Sequence, residues 1–237
     1  MANNVTIVVP AFNEEQSIYQ VVKELKENFS ECELIVVDDG SVDKTGELAQ
    51  NAGAKVIKHP KNYGYGASLK TGIQESSGDY VITFDADGQH SVEDVKKLLE
   101  DYDDYDAVVG IRDIRSYTPL QRRPGKFILR VFFNFLTGEK IGDFNCGLRI
   151  FKKATIIRYL HMLCDEFSFS TSSLITMLNM RKRIKYVPIK VKKRIGKSTV
   201  HQLRHGIYVL LLILRLTVLF NPLKVFLLGV GFFFILG

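Results

Sequence analysis

Five short apolar runs, Val5 to Val9, Leu34 to Val37, Ala54 to Ile57, Tyr80 to Phe84 and Ala107 to Val109, alternate with helical patterns through the first half of the chain. Runs so short and so continuously apolar are strands buried on both faces, which indicates an α/β fold with a mostly parallel central sheet flanked by helices. Ile18, Val21, Val22, Leu25 and Phe29 recur at helical spacing and predict a helix over Glu15 to Phe29. Thr45 to Asn51 and Tyr65 to Glu75 are further helices, and Ser91 with Asp94 resembles a capping box opening a helix that runs to Tyr102. In such a fold the ligand-binding loops lie at the carboxyl ends of the strands.

Beyond Gly110 the rhythm breaks. A polar, Arg-rich connection over Arg112 to Gly125 leads into an aromatic helical segment, Phe127 to Leu136, and then a loop carrying Asp143-Phe-Asn-Cys-Gly-Leu-Arg149. Ser172 to Met180 reads as a helix, and Lys185 to Val191 as a strand near a sheet edge, because Pro188 removes one ladder donor.

The net charge of +6 conceals an asymmetry: residues 167–237 carry twelve Lys and Arg and no Asp or Glu, against twenty basic and twenty-six acidic residues before them. Ten of the twelve fall between Arg181 and Arg204, directly before the apolar stretches Ile207 to Phe220 and Val225 to Leu236. A basic stretch abutting apolar ones indicates an anionic membrane surface rather than nucleic acid as partner. As a helix, 207–220 spans roughly 21 Å, short of the ~30 Å hydrocarbon core, so it is expected to lie at the interface with Arg215 snorkelling. The segment from Val225 is expected to begin a transmembrane helix. The chain therefore divides into a catalytic domain, 1–204, on the cytosolic membrane face, and C-terminal amphipathic or membrane helices, 205–237, which can also mediate homo-oligomer contacts. Three widely spaced cysteines, Cys32, Cys146 and Cys164, form no disulfide framework and are expected to be reduced, packed thiols. Residues 1–9 carry no secretory leader pattern.

The chemistry concentrates at two strand ends. Asp85-Ala86-Asp87-Gly88-Gln89 follows the fourth apolar run, and alternate residues of extended chain point the same way, so Asp85, Asp87 and Gln89 can converge on one hard cation, Mg2+ or Mn2+, that holds a phosphate. His90 is better placed for a structural hydrogen bond beside the capping Ser91. Asp38 and Asp39, ending the second strand before Gly40-Ser41, can accept from ribose hydroxyls or a base N–H, or form the turn itself. Glu14, after Pro10-Ala-Phe12-Asn, can add an acceptor beside the same crevice. No Gly-x-Gly-x-x-Gly follows the first strand and no Walker motif is present, so dinucleotide and P-loop functions lose their support.

Pro10-Ala-Phe-Asn-Glu-Glu15, Val36-Val-Asp-Asp-Gly-Ser-x-Asp43, Asn62-x-Gly64-x-Gly-Ala67, Gly78-Asp-Tyr80 and Asp85-Ala-Asp-Gly-Gln-His90 together resemble the family 2 glycosyltransferases of GT-A fold, in particular the dolichyl-phosphate mannosyltransferase and polyprenyl-phosphate branch. The resemblance implies that Pro10, Phe12, Glu14, Asp38 and Asp39 hold the nucleoside of a nucleoside diphosphate hexose, while Asp85, Ala86, Asp87 and Gln89 hold metal and diphosphate. It implies an acceptor-phosphate region of Arg112, Arg123, Arg130 and Arg149, with Asp143. Arg194-Ile-Gly-Lys197-Ser198 is similar to the pattern that engages the lipid phosphate. Phe12 replaces a common tyrosine, Thr199 a common lysine, and Ser170 a common acidic residue. The implied reaction is inverting transfer of mannose or glucose to polyprenyl or dolichyl phosphate, with Asp85, Asp87, Arg112 and Arg194 carrying the catalysis. Transfer to a saccharide or lipid hydroxyl would instead need a carboxylate base, for which Asp143 is the candidate. A non-catalytic nucleotide-sugar binding protein is the third possibility.

Overall fold

The computed structural model describes residues 4–112, 123–192, 202–227 and 230. Its centre is a seven-stranded sheet in the order β3-β2-β1-β4-β6-β5-β7, built from β1 (Val5–Ala11), β2 (Glu33–Asp38), β3 (Lys55–Lys58), β4 (Tyr80–Thr83), β5 (Ala107–Arg112), β6 (Arg149–Lys152) and β7 (Ile184–Ile189). β1 pairs in parallel with β2 and β4, β2 with β3, and β5 with β7, whereas β6 is antiparallel to both β4 and β5. β7 is the edge strand, where Pro188 is tolerated.

All seven residues of β1 are buried, as a doubly covered strand requires. Val5, Ile7, Val9 and Ala11 pack with Ile18, Val22 and Leu25 of α1 (Ile18–Asn28) and with Val95 and Leu98 of α4 (Val92–Leu98). Val8 belongs to the opposite layer, with Leu69 and Ile73 of α3 (Tyr65–Glu75) and Phe169 and Met177 of α7 (Phe169–Asn179). Between them, α2 (Thr45–Asn51) links β2 to β3, and the short α6 (Lys153–Ile156) follows β6. Pro10 continues β1, although the sequence suggested a strand stopping there. Phe84 N–H donates to Val8 O, so even-numbered residues of β1 face β4, and Pro10 lies past the end of β4, where no N–H is needed. Ser91 caps α4 as expected, accepting from Asp94 N–H at 3.2 Å.

The second half of the chain adds a third apolar cluster. Phe133 of α5 (Arg123–Thr137) stacks on Phe144 with centroids 4.5 Å apart, and both pack with Leu174, Ile175, Ile213 and Leu216, the last two from α8 (Gln202–Phe220). The expectation of C-terminal membrane helices is corrected here: among the described residues no helix is long and apolar enough to cross a membrane. α8 instead turns Ile213 and Leu216 into the protein, each buried side chain contributing about 2 kcal/mol. Most of the apolar segment from Val225, the 113–122 connection, and Arg194, Lys197 and Ser198 lie outside the described residues. Cys32, Cys146 and Cys164 are free and buried, and burial pushes the Cys146 thiol up to about 12.

Candidate active site at the strand ends

The ends of β1 and β2 are locked to one another before any ligand is considered. Asn13 N–H donates to Ser41 Oγ at 3.0 Å, Val42 N–H to Asn13 Oδ1 at 3.0 Å, and Glu14 N–H to Thr45 Oγ1 at 2.8 Å. Phe12 stands at the rim, 38% exposed. Asp38 is buried and forms the turn, accepting from Ser41 N–H at 2.9 Å. Asp39, also buried, accepts from Tyr63 N–H at 3.0 Å and Gly64 N–H at 2.8 Å, and meets His59 Nδ1 at 2.7 Å. Its carboxylate thus ties the β2 exit to the loop that opens α3. Gly40 permits this approach: its φ is +72°, and a Cβ would fall 2.6 Å from the Lys61 backbone.

β4 delivers Asp85 and Asp87, with Ala86 between them turned into the core. Gly88, at φ 70°, makes the turn that returns Gln89 N–H to Asp87 Oδ1 at 3.1 Å. Asp85 is contacted from two sides, by Tyr65 Oη on Oδ1 at 2.7 Å and His90 Nε2 on Oδ2 at 3.1 Å. Burial alone would raise its pKa, but these bonds from His90 and Tyr65, with the charge of Arg112, hold it below the ordinary value. Gly147 abuts the same carboxylate, since a Cβ there would come within 2.5 Å of Oδ2. Gln89 does not turn its amide nitrogen toward the two aspartates; Nε2 donates to Lys192 O at 3.1 Å.

The arginines separate into distinct environments. Arg112, at the end of β5, grips Asp143 with two bonds, Nε to Oδ2 at 2.5 Å and Nη2 to Oδ1 at 2.9 Å. Burial opposes both charges, yet the pair outweighs it, raising the pKa of Arg112 and lowering that of Asp143. Together with Arg130, Gly142 and Asn145 they line one small cleft. Arg149 is 1% exposed and lies inside, donating to Cys146 O, Phe144 O and Ser173 Oγ at 2.8 to 3.1 Å. It shapes the 143–147 loop from within, and these three hydrogen bonds are spent on the protein rather than left for the acceptor phosphate that the resemblance implies. Arg123 is the first residue of α5.

Tyr65 and Gly147 are the site residues that sequence reasoning missed. Tyr65 lay within the glycine-spaced segment that carries part of the resemblance, where it was given no role, while nothing in the sequence joins Gly147 to Asp85. His90 does make the structural bond expected of it, and its partner is Asp85.

No group of three or more His, Cys, Asp or Glu that could hold a metal ion occurs among the described residues. Asp85 and Asp87 nevertheless fit a hard cation, because Mg2+ and Mn2+ are commonly held through one or two carboxylates with phosphate and water completing the shell.

A parallel sheet with one reversed strand, and paired carboxylates where β4 ends, define a GT-A glycosyltransferase scaffold. The family model for glycosyl transferase family 2 matches residues 6–161, and the chain belongs to that family. An uncharacterised protein of Methanocaldococcus jannaschii is 35% identical over 199 residues, covering 79% of this chain and 81% of its own. The undecaprenyl-phosphate 4-deoxy-4-formamido-L-arabinose transferase of Edwardsiella ictaluri is 32% identical over 204 residues, covering 80% of this chain and 60% of its own. This chain spans 53 to 60% of the length of two such transferases. Among solved structures, glucosyl-3-phosphoglycerate synthase from Mycobacterium tuberculosis, in complex with Mn2+, uridine diphosphate and phosphoglyceric acid, matches with a TM-score of 0.75 at 21% identity, covering 90% of this chain and 78% of that one. At that identity the likeness establishes the fold.

Proposed function

We propose that the chain transfers a hexose, mannose or glucose, from a nucleoside diphosphate sugar to a polyprenyl or dolichyl phosphate at the cytosolic membrane face. The observation that carries this is that one loop, 143–147, joins the two ends of the site: Asp143 is bound by Arg112, and Gly147 lies against the Asp85 carboxylate. A carboxylate end suited to a cation and its diphosphate thus adjoins an arginine end suited to a second phosphate. The curated undecaprenyl-phosphate transferases support a lipid phosphate acceptor, and the Mn2+ and uridine diphosphate of the structural relative support a metal-dependent donor site.

Asp85 and Asp87 would hold Mg2+ or Mn2+, which supplies charge neutralisation to the departing diphosphate. The acceptor phosphate is ionised near neutral pH, its second pKa being about 6, and can attack the anomeric carbon as the carbon–oxygen bond to the diphosphate breaks, inverting the centre. Arg112 and Arg130 orient the attacking phosphate, while the basic stretch from Arg181 to Arg204 meets anionic headgroups. No general base is required. Transfer to a hydroxyl is disfavoured because its candidate base, Asp143, is gripped by Arg112 and has a lowered pKa.

The test is a donor panel: membranes carrying the protein, polyprenyl phosphate, Mn2+ or Mg2+, and GDP-mannose, UDP-glucose or a UDP-linked aminopentose. A lipid-linked hexose is expected with GDP-mannose or UDP-glucose, and a product from the aminopentose donor alone would overturn the assigned sugar. Failure with every donor, or a sugar on a hydroxyl acceptor, would overturn the proposal.

A further inference from the structure

Asp85 is held by two side chains that belong to different parts of the fold. Tyr65 is the first residue of α3, and its ring stacks on Phe167 with centroids 5.9 Å apart and planes 15° from parallel. His90 is 7% exposed, lies edge-on to Phe84 with centroids 5.9 Å apart, and immediately precedes the cap of α4. Its Nδ1 is buried with no hydrogen-bond partner among the described residues. The bond to Asp85 is therefore the polar contact that fixes the ring, and the tautomer with hydrogen on Nε2 fits it, since Nδ1 faces no acceptor.

We propose that Tyr65 and His90 act as positioning residues, a two-sided clamp that holds the Asp85 carboxylate in one orientation for the metal–diphosphate part of the donor. Each carboxylate oxygen offers about two acceptor directions, and the clamp occupies one on each. What is left is one free direction per oxygen, at a fixed angle. Gly147 lies on a third side, close enough that any larger side chain there would displace the carboxylate. A carboxylate held in this way meets its ligand without losing rotational freedom at the moment of binding, and outer partners of this kind change metal affinity or activity by about 10–100-fold when removed. The clamp's role toward the donor rests on the proposed transfer reaction; its effect on Asp85 does not.

Three variants separate positioning from bulk. Tyr65→Phe deletes the hydroxyl and keeps the stacked ring, and His90→Leu deletes the donor while His90→Gln returns an N–H near the position of Nε2. The probes are Mn2+ with UDP and Mn2+ with GDP, followed by calorimetry. For the nucleotide that binds the wild type, Tyr65→Phe and His90→Leu are each expected to weaken affinity at least about tenfold, with partial recovery in His90→Gln. In an Asp85→Asn background the same substitutions should change affinity by less than about twofold, because the group they act through has lost its charge. Losses of equal size in both backgrounds, or none in either, would overturn the proposal.

A second readout does not need the ligand. The 15N resonances of the His90 ring should report a hydrogen-bonded Nε2–H, and Asp85→Asn should shift them. An imidazole unmoved by Asp85→Asn would sink the clamp even with donor binding intact. Conversely, a shifted imidazole in a protein that binds neither nucleotide with Mn2+ would confirm the hold on Asp85 while removing the proposed donor.

Discussion

Gln89 and Lys192 are joined twice: Lys192 N–H donates to Gln89 O at 2.9 Å, and Gln89 Nε2 donates to Lys192 O at 3.1 Å. The turn that follows the two aspartates is thereby tied to the chain leaving β7, two residues before Arg194. The side-chain half of this link is the part that mutation can remove.

Gln89→Ala should leave the backbone bond and cost about 1 kcal/mol of stability in urea denaturation. Steady-state kinetics should show KM for polyprenyl phosphate rising more than KM for the sugar donor. The reverse order would mean that Gln89 serves the cation rather than the link.

Gly147→Ala places a methyl group against both oxygens of Asp85, at 2.5 and 2.7 Å in the unrelaxed geometry. The carboxylate must then rotate or the 143–147 loop must retreat. We expect transfer to fall at least about a hundredfold, since displacements near 1 Å at a reacting centre cost that much. Circular dichroism should report an unchanged fold.

The Arg112–Asp143 pair sets a pH dependence whose sign is determined by the lowered pKa of Asp143. A carboxylate whose folded pKa lies below its unfolded value of about 3.9 contributes stability above that value, and the contribution disappears as pH falls through the folded pKa. Asp143→Asn should therefore be less stable than wild type by a constant amount between about pH 7 and pH 5, with the difference shrinking below about pH 4. Urea midpoints measured across this range would check it, and a difference that widened in acid would contradict the assignment.

Arg149→Lys keeps a positive charge but replaces a guanidinium that makes three hydrogen bonds within the interior. Burial lowers the pKa of Arg149, so a lysine at this position would be strongly driven to shed its proton. The variant should lose about 2–4 kcal/mol in chemical denaturation, comparable to other broken buried networks, whereas Arg130→Lys, on the cleft, should lose under about 1 kcal/mol.

The strands and helices that bury apolar faces were legible because periodicity records burial directly. α2 and α3 have the limits the sequence suggested. β6 was not legible, since four residues beginning with an arginine carry no period, and a charge is read as solvent-facing until its partners are known. Arg149 was assigned to the acceptor-phosphate region through the family resemblance, which carries no information on its burial. At Asp85 the motif was plain, but its clamp was not: Tyr65 lies twenty residues earlier, and its hydroxyl meets the carboxylate only through the folding of α3 beside β4. α8 read as an interfacial membrane helix because sequence does not distinguish a lipid neighbour from α5 and α7, on which it packs.

One consequence follows from the reversed direction of β6. A rim made only of parallel strands collects their exits, so every loop reaching it must also carry the chain onward to a helix. Because β6 runs the other way, it contributes its entrance, and residues 143–148 arrive between the exits of β4 and β5. That entrance has no helix to launch from this rim. It can be reshaped between its two anchors to suit a different acceptor, as long as Asp143 still holds Arg112 and Gly147 still lies against Asp85.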